Sequence, residues 1–310
     1  TGDIVAMVST PTYDPSNIPD IKKDTTGKYE GVYINRALSA IYSPGSVFKV
    51  VTATCALENL PNAEDAVFTC KKNMQVNGKN ITCLGSHGSI KLQKAMEHSC
   101  NIYFANLAMT LTADKMMQTA KNLYFGKSFK INKISTKASQ YDTKGANDYQ
   151  LGWSGVGQYN DLVNPSHMMM IMGSIGNNGV AVVPKFIKEI KQNSNSILNL
   201  PEINQLQNSN ETIEFMNQDT AQKLKNILRS TVKNSYGDAM FENWQMCAKT
   251  GTAETGENTK PHSWMAGFSL NEETPYAFCV MVENGGSGRE VAGGIASAVM
   301  KELLKFLKNN

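Results

Sequence analysis

The sequence predicts a mixed fold of the α+β kind: an antiparallel sheet flanked by helices, with a mostly helical lobe beside it. Three observations carry that expectation. Of 310 residues, 41% are hydrophobic and 18% charged, enough to bury a large core and unlike a disordered chain. Three strand-like runs, Trp244–Thr250, His262–Ser269 and Pro275–Glu283, follow one another late in the chain, separated by Gly, Asn and Pro. Ahead of them, apolar residues recur at helical spacing over much of the middle of the chain.

Taken in order, Ile4–Val8 reads as a strand that completes the sheet, followed by a turn at Pro11–Pro15 and a polar loop to about Tyr33 where no function is expected. Ser43-Pro-Gly45 breaks the chain, and Val47–Glu58 then runs apolar at helical spacing, which sets Ser46 at a helix N-terminus. Helices are predicted over Ile90–His98, Ile102–Leu123 and Pro165–Ile175, the last opened by its proline. The polar stretch Gln192–Thr212 reads as a surface excursion or a connection between lobes. Ala221–Arg229 is a further helix with Asp219 as a candidate cap, and Ala292–Leu307 closes the chain as another. No fixed-period repeat is visible, which removes solenoids and propellers.

Several function classes are excluded early. The net charge is +3 with an isoelectric point near 8.4, and Lys and Arg are scattered, so no nucleic-acid partner is expected. The longest apolar stretches, such as His167–Ile175 and Thr274–Val282, fall well short of the roughly 20 residues that cross a bilayer. The chain starts directly in Asp3–Ser9 without a basic-then-apolar leader, as expected of a mature or trimmed protein. Six cysteines are too few for a disulfide scaffold in a chain of this size.

Three short motifs carry chemistry. Ser46-Val-Phe-Lys49 is S-x-x-K at a helix start, where residues three apart share a face, so hydroxyl and amine can meet. A serine needs a base to become a nucleophile, and a lysine serves if burial and nearby positive charge lower its pKa. Ser99-Cys-Asn101 offers a hydroxyl as proton relay and an amide as carbonyl partner. Lys249-Thr-Gly-Thr252 lies on a predicted strand whose alternation puts Lys249 and Gly251 on one face, and Gly251 lets a ligand approach the strand edge. Each of the first two has a decoy, Ser230-Thr-Val-Lys233 and Ser269-Leu-Asn271, but both decoys fall out of order. The ordered set of all three is the informative signal.

With these motifs the chain resembles, over essentially its whole length, the transpeptidase domain of a class B penicillin-binding protein. Supporting segments are Thr1–Ser9 with Tyr13-Asp-Pro15, Asn35-Arg-Ala37, Gly155-Val-Gly-Gln158 with Asn164-Pro165, Asn178-Gly179, and Trp264 with Ala266-Gly-Phe268. The resemblance implies a penicilloyl-serine transferase fold in one domain over 1–310, with a helical lobe over about 55–180 and a sheet lobe from 1–45 and 181–310. It implies that Ser46 is acylated by the penultimate D-Ala of a peptidoglycan stem peptide, with Lys49 as base. Ser99, Asn101 and Lys249 would relay protons and hold the donor. Thr250 and Thr252 would bind its carboxylate beside Gly251, and the Ser46 and Thr252 amides would form the oxyanion hole. An amine of a neighbouring stem would resolve the acyl-enzyme, and β-lactams would trap it. The family usually carries a membrane anchor and a pedestal before this domain; their absence here implies a trimmed extracytoplasmic domain, whose intact form would work with a membrane glycosyltransferase. Alternatives are a D,D-carboxypeptidase, a slow β-lactamase, or a β-lactam sensor. No E-x-x-L-N segment follows the S-x-N motif, as a class A β-lactamase would need.

Cys70, Cys83, His87 and Cys100 follow C-x12-C-x3-H-x12-C spacing, and Cys100 is the middle residue of the S-x-N motif. Three thiolates and an imidazole would suit a tetrahedral structural Zn²⁺, with His98 as the alternative fourth ligand. Some class B enzymes of the elongation type are similar in carrying a metal here. The plain alternative leaves Cys100 as a buried small side chain, with Cys70 and Cys83 free or disulfide-bonded. Cys55 and Cys279 read as core, Cys247 as packing beside the cleft, Met168–Met170 and Met172 as helix core, and His167 as structural. His262 is assigned to the cleft rim or the surface, and Gly285-Gly-Ser-Gly288 to a flexible turn.

Overall fold

A computed structural model describes residues 1–187 and 211–309. The centre of the site-bearing half is a three-stranded antiparallel sheet, formed by β3 (Met246–Ala253), β4 (His262–Ser269) and β5 (Ala277–Val282) in the spatial order β5-β4-β3. The late meander of the sequence is therefore real, and β3 runs three residues further than the pattern implied, so that the whole of Lys249–Thr252 is strand. Period-two alternation sorts its side chains. Cys247, Trp264 and Phe268 join the larger core, while Met246, Ala248 and Met265 join a smaller one on the opposite face.

Helices α5 (Pro165–Gly176) and α6 (Gln218–Thr231) cover the first face, and α7 (Gly293–Asn309) covers the second. Asn164 caps α5 with its amide oxygen, taking the N–H groups of Ser166 and His167, while its amide nitrogen donates to Leu38 and Ala40 carbonyls. A single side chain thus ends one segment and starts another. His167 is buried between Ser139 Oγ at 2.7 Å and the Leu123 carbonyl at 2.6 Å. Burial holds its imidazole down to about 4, so it is neutral and structural.

The expected first strand does not form. Asp3 makes only an isolated parallel bridge to Lys185, and Val5 and Val8 are 56% and 80% exposed. Neither face of the run is buried, so nothing pins it to the sheet. Among the described residues the sheet keeps three strands. Of the polar stretch 192–212, positions 192–210 lie outside the described residues, and Thr212–Glu214 pairs antiparallel with Val180–Val182.

The helical part is built on α1 (Lys49–Asn59), α2 (Leu92–Glu97), α3 (Asn101–Asn122) and α4 (Asp148–Ser154). The expected long helix after Ser99 is interrupted at Thr112, whose φ of 72° is not helical. Before α2 the chain makes a hairpin of β1 (Phe68–Val76) and β2 (Lys79–Ile90) that sequence periodicity did not reveal. Its strands are mostly exposed and polar, and its register shifts at Cys70 and Lys71, which erases a clean two-residue alternation.

Candidate active site

Ser46 sits in a 3-10 turn, Gly45–Phe48, immediately ahead of α1. Packing holds the turn from behind. Phe48 is fully buried and stacks on Tyr141 at 5.1 Å, and Gly45 donates its amide to Gly157 O at 3.0 Å. Gly45 has a φ of +53°, and a Cβ there would lie 2.6 Å from Thr252 O. Only glycine lets the Ser46 turn touch the backbone of β3 so closely.

Lys49 follows one turn later and is completely buried. Its Nζ lies 2.9 Å from Ser46 Oγ, 2.7 Å from Asn101 Oδ1, 3.1 Å from Ser99 Oγ and 2.6 Å from the Ser99 carbonyl. Burial, with the nearby Lys249 charge, holds this amine well below the ordinary lysine range. The chemistry needs a proton acceptor touching the serine, and the geometry supplies one.

Lys249 reaches the same hydroxyl from the sheet: its Nζ is 2.9 Å from Ser99 Oγ. It too is buried, which brings it down to about 7. Ser99 is therefore bracketed by two amines, the arrangement of a proton relay. It holds a φ of 50°, rare for a residue with a side chain, at a cost of roughly 1–2 kcal/mol. The backbone around it is tied down on both sides: Ser99 and Cys100 amides close the end of α2, and Asn101 Nδ2 donates to Thr82 O in β2.

Alternation in β3 sends Lys249 and Gly251 toward the Ser46 turn and Thr250 and Thr252 to the other face. A Cβ on Gly251 would fall 2.6 Å from Pro44 O. Thr250 Oγ1 lies 3.0 Å from Tyr236 Oη, and Thr252 Oγ1 accepts from the Gly288 amide at 3.1 Å. Gly288 is thus no loose turn; a Cβ there would meet Gly251 O at 2.2 Å. Sequence reading missed this residue and Tyr236, because neither belongs to a chemical motif. Both decoys are elsewhere: Ser230 hydrogen-bonds Glu97, and Ser269 hydrogen-bonds Trp244 O. His262 half-buries against Tyr42 and accepts from the Asn284 amide.

The four candidate metal ligands converge. One donor atom from each of Cys70, Cys83, His87 and Cys100 lies within 4.8 Å of every other. Cys83 and Cys100 sulfurs are 3.9 Å apart, and Cys83 Sγ is 3.6 Å from His87 Nδ1. Ligands on a tetrahedral zinc with bonds of about 2.0–2.3 Å sit roughly 3.5–3.8 Å apart, a spacing that the Cys83–Cys100 and Cys83–His87 pairs come close to and that the set as a whole would reach by closing up slightly. His98 is not in the set and stacks its ring on His87 at 4.9 Å. No disulfide joins any of the six cysteines. Cys55 is core; Cys247 packs toward α6 with Sγ 3.5 Å from Lys225 O, and Cys279 packs against the larger core.

Comparison with known proteins shows the family and the fold. The family model described as the penicillin binding protein transpeptidase domain matches residues 1–305. The peptidoglycan D,D-transpeptidase PbpA of Mycolicibacterium smegmatis is 27% identical over 317 residues, covering 96% of this chain and 63% of that protein. Penicillin-binding protein A from M. tuberculosis, solved as an imipenem acyl-enzyme complex, superposes with a TM-score of 0.81 at 25% identity over 98% of this chain and 71% of that one. A D,D-transpeptidase domain from Eggerthella lenta shares the fold, with a TM-score of 0.81 at 23% identity over 97% of this chain and 74% of that one. The chain spans somewhat less than two thirds of the length of the curated PbpA protein. It belongs to the penicillin-binding protein transpeptidase domain family, in the class B branch that its motifs resemble.

Proposed function

We propose that the chain is a serine D,D-transpeptidase of peptidoglycan, acting through an ester on Ser46. The observation that carries this is the buried Lys49 amine, 2.9 Å from Ser46 Oγ and depressed by burial beside Lys249. In its neutral form Lys49 takes the Ser46 proton as Oγ attacks the carbonyl of the penultimate D-Ala. The oxyanion is held by the Ser46 and Thr252 amides. The proton passes through Ser99, between Lys49 and Lys249, to the departing D-Ala nitrogen, and the C–N bond breaks. An amine of a second stem then attacks the ester, surrenders its proton along the same relay, and restores Ser46. Asn101 and Lys249 orient the donor. Thr250 and Thr252 hold its carboxylate, and the open edge of β3 lets an extended peptide lie alongside Gly251.

The same reading keeps a helical lobe over about 55–180 and a sheet lobe from 1–45 and 181–310, with the cleft between them. It places the domain outside the cytoplasmic membrane, as part of an anchored protein that works with a membrane glycosyltransferase. Among the described residues no helix is long and apolar enough to cross a membrane, so any anchor would lie elsewhere. A structural Zn²⁺ on Cys70, Cys83, His87 and Cys100 belongs to this proposal. Such an ion supplies cross-linking rather than chemistry: it would tie the β1–β2 hairpin to Cys100, between Ser99 and Asn101.

The test is intact-mass measurement after incubation with a penicillin, for wild type and Ser46→Ala, each with and without a strong zinc chelator. An adduct of one drug mass is expected in wild type alone, and chelation should slow its formation. Persistence of the adduct in Ser46→Ala would overturn the nucleophile. Native mass without zinc and acylation indifferent to chelator would reduce the cysteines to packing.

A further inference from the structure

Tyr236 ends a π-helical turn, Val232–Tyr236, that follows α6. Its backbone is fixed, with Arg289 donating to Tyr236 O at 3.2 Å and Ser235 Oγ donating to Glu97 O at 2.8 Å. Its phenol oxygen meets Thr250 twice: the Thr250 amide donates to it at 3.0 Å, and Thr250 Oγ1 lies 3.0 Å away.

Proton counting decides the direction of the second bond. A backbone N–H can only donate, so the phenol oxygen is an acceptor there. Burial pushes the phenol above its ordinary range, so it keeps its single proton. Among the described residues, Thr250 Oγ1 is the one hydrogen-bond partner of the phenol that can take that proton. The phenol therefore donates to Thr250 Oγ1. The threonine hydroxyl then accepts one bond from the scaffold and keeps its own proton to give.

Thr252 is treated in the same way. Its Oγ1 accepts from the Gly288 amide at 3.1 Å, which again leaves a free proton. Two hydroxyls two residues apart on one edge strand thus each keep a proton to give, an arrangement that suits an anion.

We propose that Tyr236 is a positioning residue that sets the polarity of Thr250, turning its hydroxyl proton toward the carboxylate of the acyl donor. This rests on the transpeptidase reading and adds to it a determinant of selectivity for acidic donors. Tyr236 itself touches no reacting atom; it acts through Thr250.

The experiment compares a penicillin with its methyl ester, in which the carboxylate is blocked, on the full chain. Tyr236→Phe should slow acylation by the acid about tenfold or more, the worth of one hydrogen bond to a charged group, and should slow the ester far less. The acid-to-ester ratio is the readout, because general damage to the cleft lowers both rates together. Thr250→Val should collapse the same ratio, and adding Tyr236→Phe to it should cost nothing further. Site-specific 3-fluorotyrosine at 236 keeps the side chain and strengthens its O–H as a donor, so it should raise the ratio even if the phenylalanine variant folds poorly. An unchanged ratio in both Tyr236 variants, or losses that multiply in the double variant, would overturn the proposal while leaving Ser46 acylation intact. No acylation of wild type by either compound would instead overturn the underlying transpeptidase reading, and this one with it.

Discussion

Glu97 gives the most quantitative prediction. It ends α2, two residues before Ser99, and its side chain is 3% exposed. Burial alone would raise its carboxyl, but hydrogen bonds from Lys94, Ser230, Asn234 and Gln93 outweigh burial and bring it to about 2. Against the ordinary 4.5, that difference is worth roughly 3 kcal/mol at pH 7. The sign follows from the depressed value: stability is fully present above the unfolded-state value and fades as pH falls toward the folded one. At pH 3.5 about 2 kcal/mol would remain. Glu97→Gln keeps the shape and removes the charge. Denaturant unfolding of the two proteins should therefore differ by about 2–3 kcal/mol at pH 7 and by clearly less at pH 3.5. The reasoning would be refuted by a gap that stays constant or widens in acid, for then the loss would be one of packing. Because the same carboxylate ties α2 to the turn carrying Ser235 and Tyr236, penicillin acylation should slow in the variant as well.

Two further outcomes follow from close contacts and from the buried amines. Gly157 has a φ of +87°, and a Cβ there would sit 2.2 Å from Gly45 O and 2.7 Å from Phe48 Cβ. Gly157→Ala should cost about 2–4 kcal/mol in urea unfolding and slow acylation by displacing the Ser46 turn; near-wild-type values in both assays would contradict the contact. Lys249 falls from an ordinary 10.5 to about 7 in the folded protein, so between those values the unfolded chain holds more protons. Its contribution makes stability rise with pH over that window, by up to about 1.4 kcal/mol per unit, and Lys249→Met should flatten the rise in urea titrations at pH 7 and 9.

The parts of this molecule that were legible in the sequence share one property: their signal is local. Helix α5 announces itself through Asn164, Pro165 and a long apolar run, and β4 through an apolar run bounded by breakers. Ser46 and Lys49 are one turn apart, so their meeting is a matter of helical geometry. The pieces that escaped depend on distant partners. Ile4–Val8 has strand-like composition, but no neighbour buries it. The β1–β2 hairpin has a register shift and exposed polar strands, so no period marks it, although its Cys and His spacing did point to a cluster. Tyr236 and Gly288 matter only because tertiary packing sets them against Thr250 and Thr252.

In the proposed reaction the three motifs act as one site because, among the described residues, β3 is an edge strand with glycine at its centre. An interior strand would present Lys249 to one layer and Thr250 to another, and no single ligand could touch both. At an edge, the two faces meet along a line open to a substrate. Gly251 lets the Ser46 turn reach that line, since any side chain would strike Pro44 O, and Gly45 makes the same allowance from the opposite side. The Lys49 and Lys249 amines then lie on the Ser46 side of the strand, where burial depresses them. The hydroxyls lie on the other side, against Tyr236 Oη and the Gly288 amide. On the proposed function, the alternation of four residues, Lys249 to Thr252, thus separates base chemistry from anion binding while keeping both within reach of one bound chain end.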